Sequence, residues 1–204
     1  MDESRIAAQQ LGRMRGMTRY YHARFFSDVR FTTVAALVLL VVGWWEVPEA
    51  FLLVPVVALL GANATAFDAS YLILARQYAA RLERFLNDAT DSNVLVAAEL
   101  EDRYLFPLDE PKVVTFRFGS VFTWFGWMTL LYTVTGAVVF LFGLGLGWSV
   151  LEAAGTGWTV FYMTVLVGLT AGSLGVGSWW FVAGVGEARL RAVLDERFPD
   201  PEIG

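Results

Sequence analysis

The sequence predicts an all-α, polytopic membrane protein with four transmembrane helices in two hairpins and a small cytoplasmic helical bundle. Three observations carry this reading. Only 17% of the 204 residues are charged and 56% are hydrophobic, whereas a soluble domain carries about 25% charged residues. The deficit is concentrated, because residues 31–45, 50–67, 118–151 and 153–186 hold no charged side chain and together make up half of the chain. The basic residues all fall outside those blocks, in three groups. Such a distribution excludes both a water-soluble globule and a disordered tail.

Composition also narrows the chemistry. With no cysteine, disulfides, iron–sulfur clusters and thiolate metal sites are excluded. The single histidine, His22, excludes a bis-His haem within one chain. Lys112, the only lysine, follows Pro111 in a polar stretch and not in an apolar block, which argues against a retinal-type Schiff base. A net charge of −5 argues against nucleic acid as a partner. No cofactor and no metal site is expected.

Residues 1–30 read as a cytoplasmic amphipathic helix. Ala7, Leu11, Met14, Met17, Tyr21 and Phe25 recur every three or four residues, with Arg13, Arg15, Arg19 and Arg24 off that stripe. This face suits either anionic lipid headgroups or the other cytoplasmic helices. About thirty Arg-rich residues ahead of the first apolar block do not resemble a cleavable signal, so the first span is expected to remain as an anchor.

Residues 31–67 form the first transmembrane hairpin, with Pro48 breaking it between Phe31–Trp45 and Ala50–Phe67. The second helix is expected to run on, since Pro55 and Gly61 are the only breakers between Ala50 and Asp88. Leu72, Ala75, Ala79, Leu82 and Leu86 continue as a seam for another helix. Residues 68–118 are read as the cytoplasmic helical segment. Asp91-Ser92 offers an N-cap for a return helix over Asn93–Leu105, with Val94, Ala97, Ala98 and Leu105 inward. A turn-rich stretch, Phe106–Pro111, and an alternating segment, Val113–Phe118, follow; the latter reads as a short strand or an extended lead.

Residues 119–183 form the second hairpin, with spans near 121–147 and 157–182, and residues 184–204 a C-terminal cytoplasmic helix over Glu187–Phe198. Arg81-Leu82-Glu83-Arg84-Phe85 loosely echoes Leu194-Asp195-Glu196-Arg197-Phe198. Chance explains so short a match better than duplication. The eight tryptophans fall near span ends, where an amphipathic indole is well solvated.

Small residues suggest how the spans meet. Gly136, Gly143 and Gly147 in the third span and Gly168, Gly172 and Gly175 in the fourth are read as helix-packing positions, in preference to a glycine-lined pore. The span interiors hold no ionisable group. Asn63, Thr65 and Asp68 are the candidate polar ligand or ion path at the inner end of the second span, against a structural reading in which Asn63 bonds a neighbouring helix. His22, Ser27 and Asp28 make no triad, lacking shared helix geometry and any oxyanion hole. Glu99, Glu101, Asp102, Asp109 and Glu110 lack calcium-loop spacing and read as a solvated acidic face.

The functional expectation is a non-enzymatic scaffold, regulator or partner-binding protein of the cytoplasmic membrane, self-associating or binding a cytoplasmic protein. The alternative is an oligomeric channel or passive carrier. All fifteen basic residues lie in 1–30, 68–118 and 184–204, which places both termini and the central segment in the cytoplasm. A cysteine at Glu49 or Ala153 should therefore react with an impermeant thiol reagent in intact cells, and one at Asn93 should not. The reverse labelling pattern would invert the topology.

Overall fold

The computed structural model describes residues 3–105 and 124–198, with side chains described over 3–101 and 130–198. Every regular element there is helical. In order they are α1 (Glu3–Trp45), a 3-10 turn (Pro48–Leu52), α2 (Leu53–Thr90), α3 (Ala97–Leu105), α4 (Trp124–Ala154), α5 (Thr156–Gly177), a π-helical turn (Ser178–Val182) and α6 (Val185–Arg197). Four stretches are long and apolar enough to cross a membrane: Glu3–Trp45, Pro48–Thr90, Leu130–Ala154 and Thr156–Val182. The all-α class and the four membrane-length helices agree with the sequence reading. The stretches 106–111 and 113–118, and the start of the third span, lie outside the described residues.

Local chemistry explains where the helices run and stop. α1 carries 43 residues without a break, about 65 Å at 1.5 Å per residue, more than twice a bilayer core of about 30 Å. The change from arginines to an apolar block alters the solvent that the helix prefers, not its backbone, so one helix covers both. It ends where the Val47 N–H reaches the Val42 carbonyl at 3.1 Å and Pro48 cannot continue. Pro55 is the third residue of α2, where an N–H would have no intrahelical acceptor to lose. α2 runs on to Thr90, as its lack of breakers predicts.

α4 gives way to α5 at Gly155, whose φ of +92° favours glycine. There the Thr159 hydroxyl donates to the Leu151 carbonyl at 2.8 Å, covering one of the acceptors that a helix end leaves open. α6 likewise starts after Gly184 at φ +72°.

α3 departs from expectation. It starts at Ala97, four residues later than the Asp91-Ser92 cap predicts, and 92–96 are irregular. The Asn87 side chain explains the delay. Its Nδ2 donates to the Leu95 carbonyl at 2.9 Å and its Oδ1 accepts from the Leu95 N–H at 3.1 Å. Those two bonds hold the backbone irregular where a helix would start. Ala98 is consequently buried, whereas Val94 and Ala97, expected inward, are exposed.

The chain divides into two compact units. One comprises Met1–Arg24, Asp68–Trp127 and Ser178–Gly204, the other Phe25–Phe67 and Met128–Gly177. The second unit takes in the first two apolar blocks and most of the other two. Its buried cluster is Ala36, Leu40, Phe51 and Val54, with Leu39, Val139 and Leu146 packed against it. The Tyr162 hydroxyl of α5 donates to the Leu52 carbonyl at 2.7 Å. Outward lie Leu37, Val38, Leu141, Val165, Leu169 and Leu174, all exposed. So continuous an apolar surface suits lipid and not water. Trp44, Trp45, Trp148 and Trp158 are also exposed, near the helix ends.

The six glycines of α4 and α5 read as packing positions behave unequally. A Cβ on Gly143 would lie 2.6 Å from the Val54 side chain, and one on Gly147 would lie 2.7 Å from Leu52. At Gly136, Gly168, Gly172 and Gly175 a Cβ would meet nothing within 4 Å among the described residues. Spacing fixes a helix face without fixing what lies opposite it, and among the described residues only Gly143 and Gly147 of the six meet a close neighbour. Gly43 against the Phe51 ring and Gly61 against Thr32 are further close approaches that the spacing did not single out. Gly143→Ala should lower stability in detergent by about 1–3 kcal/mol, the usual cost of overpacking. Gly168→Ala should leave the thermal unfolding midpoint within error; equal losses in both variants would contradict this packing.

Candidate functional site

Asn63, Thr65 and Asp68 each make contacts of their own. Around a helix of 100° per residue, Asn63 and Asp68 are about 140° apart. Asn63, in the second unit, donates from Nδ2 to the Leu59 carbonyl at 2.8 Å and to Ser173 Oγ of α5 at 3.0 Å. Thr65 donates to carbonyls of its own helix, Gly61 at 2.9 Å and Ala62 at 3.0 Å. Asp68 belongs to the other unit and is fully buried, with the Arg24 Nε 3.3 Å from its Oδ1. Each of the three therefore has a partner, and Asn63 bridges two helices as the structural alternative describes.

The densest polar constellation lies in the first unit, among α1, α2 and α3. Its base is apolar: Ala7 and Met14 of α1 are buried with Ala79, Leu82 and Leu86 of α2, and Leu11, Met17, Tyr78, Phe85 and Phe198 pack around them. The apolar stripe of α1 is thereby covered by the α2 seam. One turn further along, Tyr21 and Tyr71 stack with ring centroids 4.6 Å apart and planes within 7°. Phe198, beyond α6, meets Tyr78 and Phe85 at centroid distances of 6.0 and 6.1 Å, and Arg81 pairs with Asp195 of α6. The two motifs that echo one another in sequence are neighbours in space.

Glu83 organises the charges. Only 4% of this residue is exposed. Its Oε1 accepts from Arg15 of α1, and its Oε2 accepts from the Ala98 N–H at 2.8 Å. Ala98 is the second residue of α3, so a carboxylate from α2 caps the N-terminus of α3 and faces the positive end of its dipole. Arg15 reaches further, donating to Glu101 at 2.8 Å, while Arg76 stands 4.0 Å from the other Glu101 oxygen. Two guanidiniums and two carboxylates thus alternate across three helices. Glu101, expected on a solvated acidic face, is bound instead into this network; Asp102, Asp109 and Glu110 fall outside the described side chains. Arg15, expected off the packing face, reaches across it.

The two arginines differ in their environments. Burial alone would lower the Arg15 pKa, but its hydrogen bond to Glu83 and the charges of Glu83 and Glu101 outweigh that, so the pKa is raised. For Arg76, burial dominates and the neighbouring Arg15 charge adds to it, against the pull of Glu101, bringing the pKa down to about 10. The cluster therefore favours the charge on Arg15 and tolerates the one on Arg76.

The sequence held a signal for this site. Asp68 and Glu83 fall on the same seam as Leu72, Ala75, Ala79 and Leu86, three or four residues from their neighbours on that face, and Arg15 stands four residues after Leu11. A charged residue at a seam position needs a partner of opposite charge.

Among the described residues no group of three or more His, Asp or Glu side chains is placed to hold a metal. A shallow open depression of about 390 Å³ is lined by Gly157, Trp158 and Phe161, none of them an acid–base or nucleophilic group. No protein-family model matches the chain, and searches of curated proteins and of solved structures find no match.

Removing the charge should separate the two arginines. Arg15→Met strands a buried carboxylate and should destabilise the protein by about 3 kcal/mol. Arg76→Met keeps the aliphatic contacts and should cost less than about 1 kcal/mol or stabilise. Chemical unfolding in detergent measures both, and equal losses would contradict the asymmetry.

Proposed function

We propose that this chain is an integral protein of the cytoplasmic membrane that acts, without catalysis, as a scaffold, regulator or partner-binding protein. Its first unit would stand in the cytoplasm as a helical bundle, and its two hairpins would anchor that bundle. The observation that carries the reading is the first unit itself: helices longer than a membrane requires, with a core and an ion network of their own. The distribution of basic residues supports a cytoplasmic placement for that unit and for both termini. Arg5, Arg13, Arg19 and Arg30 are exposed on α1, a charge pattern suited to anionic headgroups at the membrane surface or to an acidic protein partner. The same unit would support self-association.

A channel or passive carrier built from several copies is the second reading. It rests on Asn63, a polar and exposed residue within an otherwise apolar stretch. Flux through liposomes and oligomeric state in nanodiscs separate the two. The scaffold reading expects no ion flux and a partner or self-contact that is lost when Leu82→Asp disrupts the first unit. A conducting assembly whose selectivity changes in Asn63→Ala would overturn it.

A further inference from the structure

We infer that the segment Ser92–Leu105 is a strap that polar contacts hold against α1 and α2, able to come away while those two helices stay folded. Its attachments are the Asn87 amide on the Leu95 backbone, the Glu83 carboxylate on the Ala98 N–H, and Glu101 between Arg15 and Arg76. Among the described side chains of 92–101 apolar burial contributes little: only Ala98 is buried, and none of them joins the clusters around Leu82 and Phe51. Val94 and Leu100 face away, 78% and 61% exposed.

The connection to α2 is a turn and not a continuous helix. Asp91 takes a left-handed φ of +46°, and 92–96 form no helix. Elements with few buried apolar contacts open locally at lower free energy than the core around them. Ionic attachment makes that opening responsive to charge, since the screening length falls from about 10 Å at 0.1 M salt to about 3 Å at 1 M. Release would leave Arg15 and Arg76 without Glu101 and would present Leu100 and Val94 on a free segment. That deepens the partner-binding reading by supplying its regulation, and it rests on that reading only for the consequence; the strap itself is a property of the isolated protein.

Hydrogen exchange of the full chain in phosphatidylcholine nanodiscs tests it, comparing 0.05 M with 1 M NaCl and the native chain with Glu101→Gln. Glu101 is only partly buried, so the variant should fold. Exchange at 97–101 should accelerate at least tenfold under one or both changes while 75–86 stays unchanged. No acceleration in either, or an acceleration shared by 75–86, would overturn the strap. Failure to find a binding partner would bear on the proposed function and leave this measurement intact.

Discussion

The contact between Glu83 and Arg15 is the constraint on which the first unit depends. A carboxylate so deeply buried is costly unless its charge and both oxygens are satisfied. Here one oxygen takes a guanidinium from α1 and the other takes a backbone N–H from α3, while the side chain belongs to α2. Three helices converge on one group, and none can shift far without leaving that charge unmatched. The apolar contacts beside it, Met14 with Leu82 and Leu86, supply attraction without direction. The ion pair supplies register.

The second unit solves a different problem. Its helices are long and apolar enough to cross a membrane, and between helices in lipid there would be no hydrophobic driving force of the kind water provides, so association would rely on close packing and a few hydrogen bonds. Gly143 against Val54, Gly61 against Thr32 and Gly43 against Phe51 bring helices near enough for dispersion contacts. Tyr162 on the Leu52 carbonyl and Asn63 on Ser173 add the directional part. Both polar side chains join α5 to the α2 region, so the last span is fastened by hydroxyl and amide groups while the earlier ones meet through small residues and rings.

Much of the helical plan was legible because it follows from local properties. Uninterrupted apolar blocks placed four spans, and the absence of breakers from Ala50 onward extended α2 well past its apolar part. The unbroken α1 was harder to see, since hydropathy changes abruptly near Arg30 although helix propensity does not. The start of α3 was misread for a non-local reason: Asn87, eight residues away, holds Leu95 by both amide atoms. The ion network joins residues 68 and 86 positions apart, and in the sequence its members are only scattered charges. Only the place of Glu83 on the α2 seam was visible. The glycine faces were legible as faces, but a face does not identify its neighbour, and among the described residues only Gly143 and Gly147 of the six have one.

Among the described residues, the buried members of both apolar clusters come from 7–86: Ala7, Met14, Ala79, Leu82 and Leu86 in one, Ala36, Leu40, Phe51 and Val54 in the other. Synthesis runs from the N-terminus, and chains generally fold in that order as they emerge. The residues at the centre of each cluster are therefore synthesised before α4. Val54 is covered by α4, through Gly143 with Val139 and Leu146 beside it, and Phe198 closes on the other cluster, so each core finds its lid only when the later helices have been made.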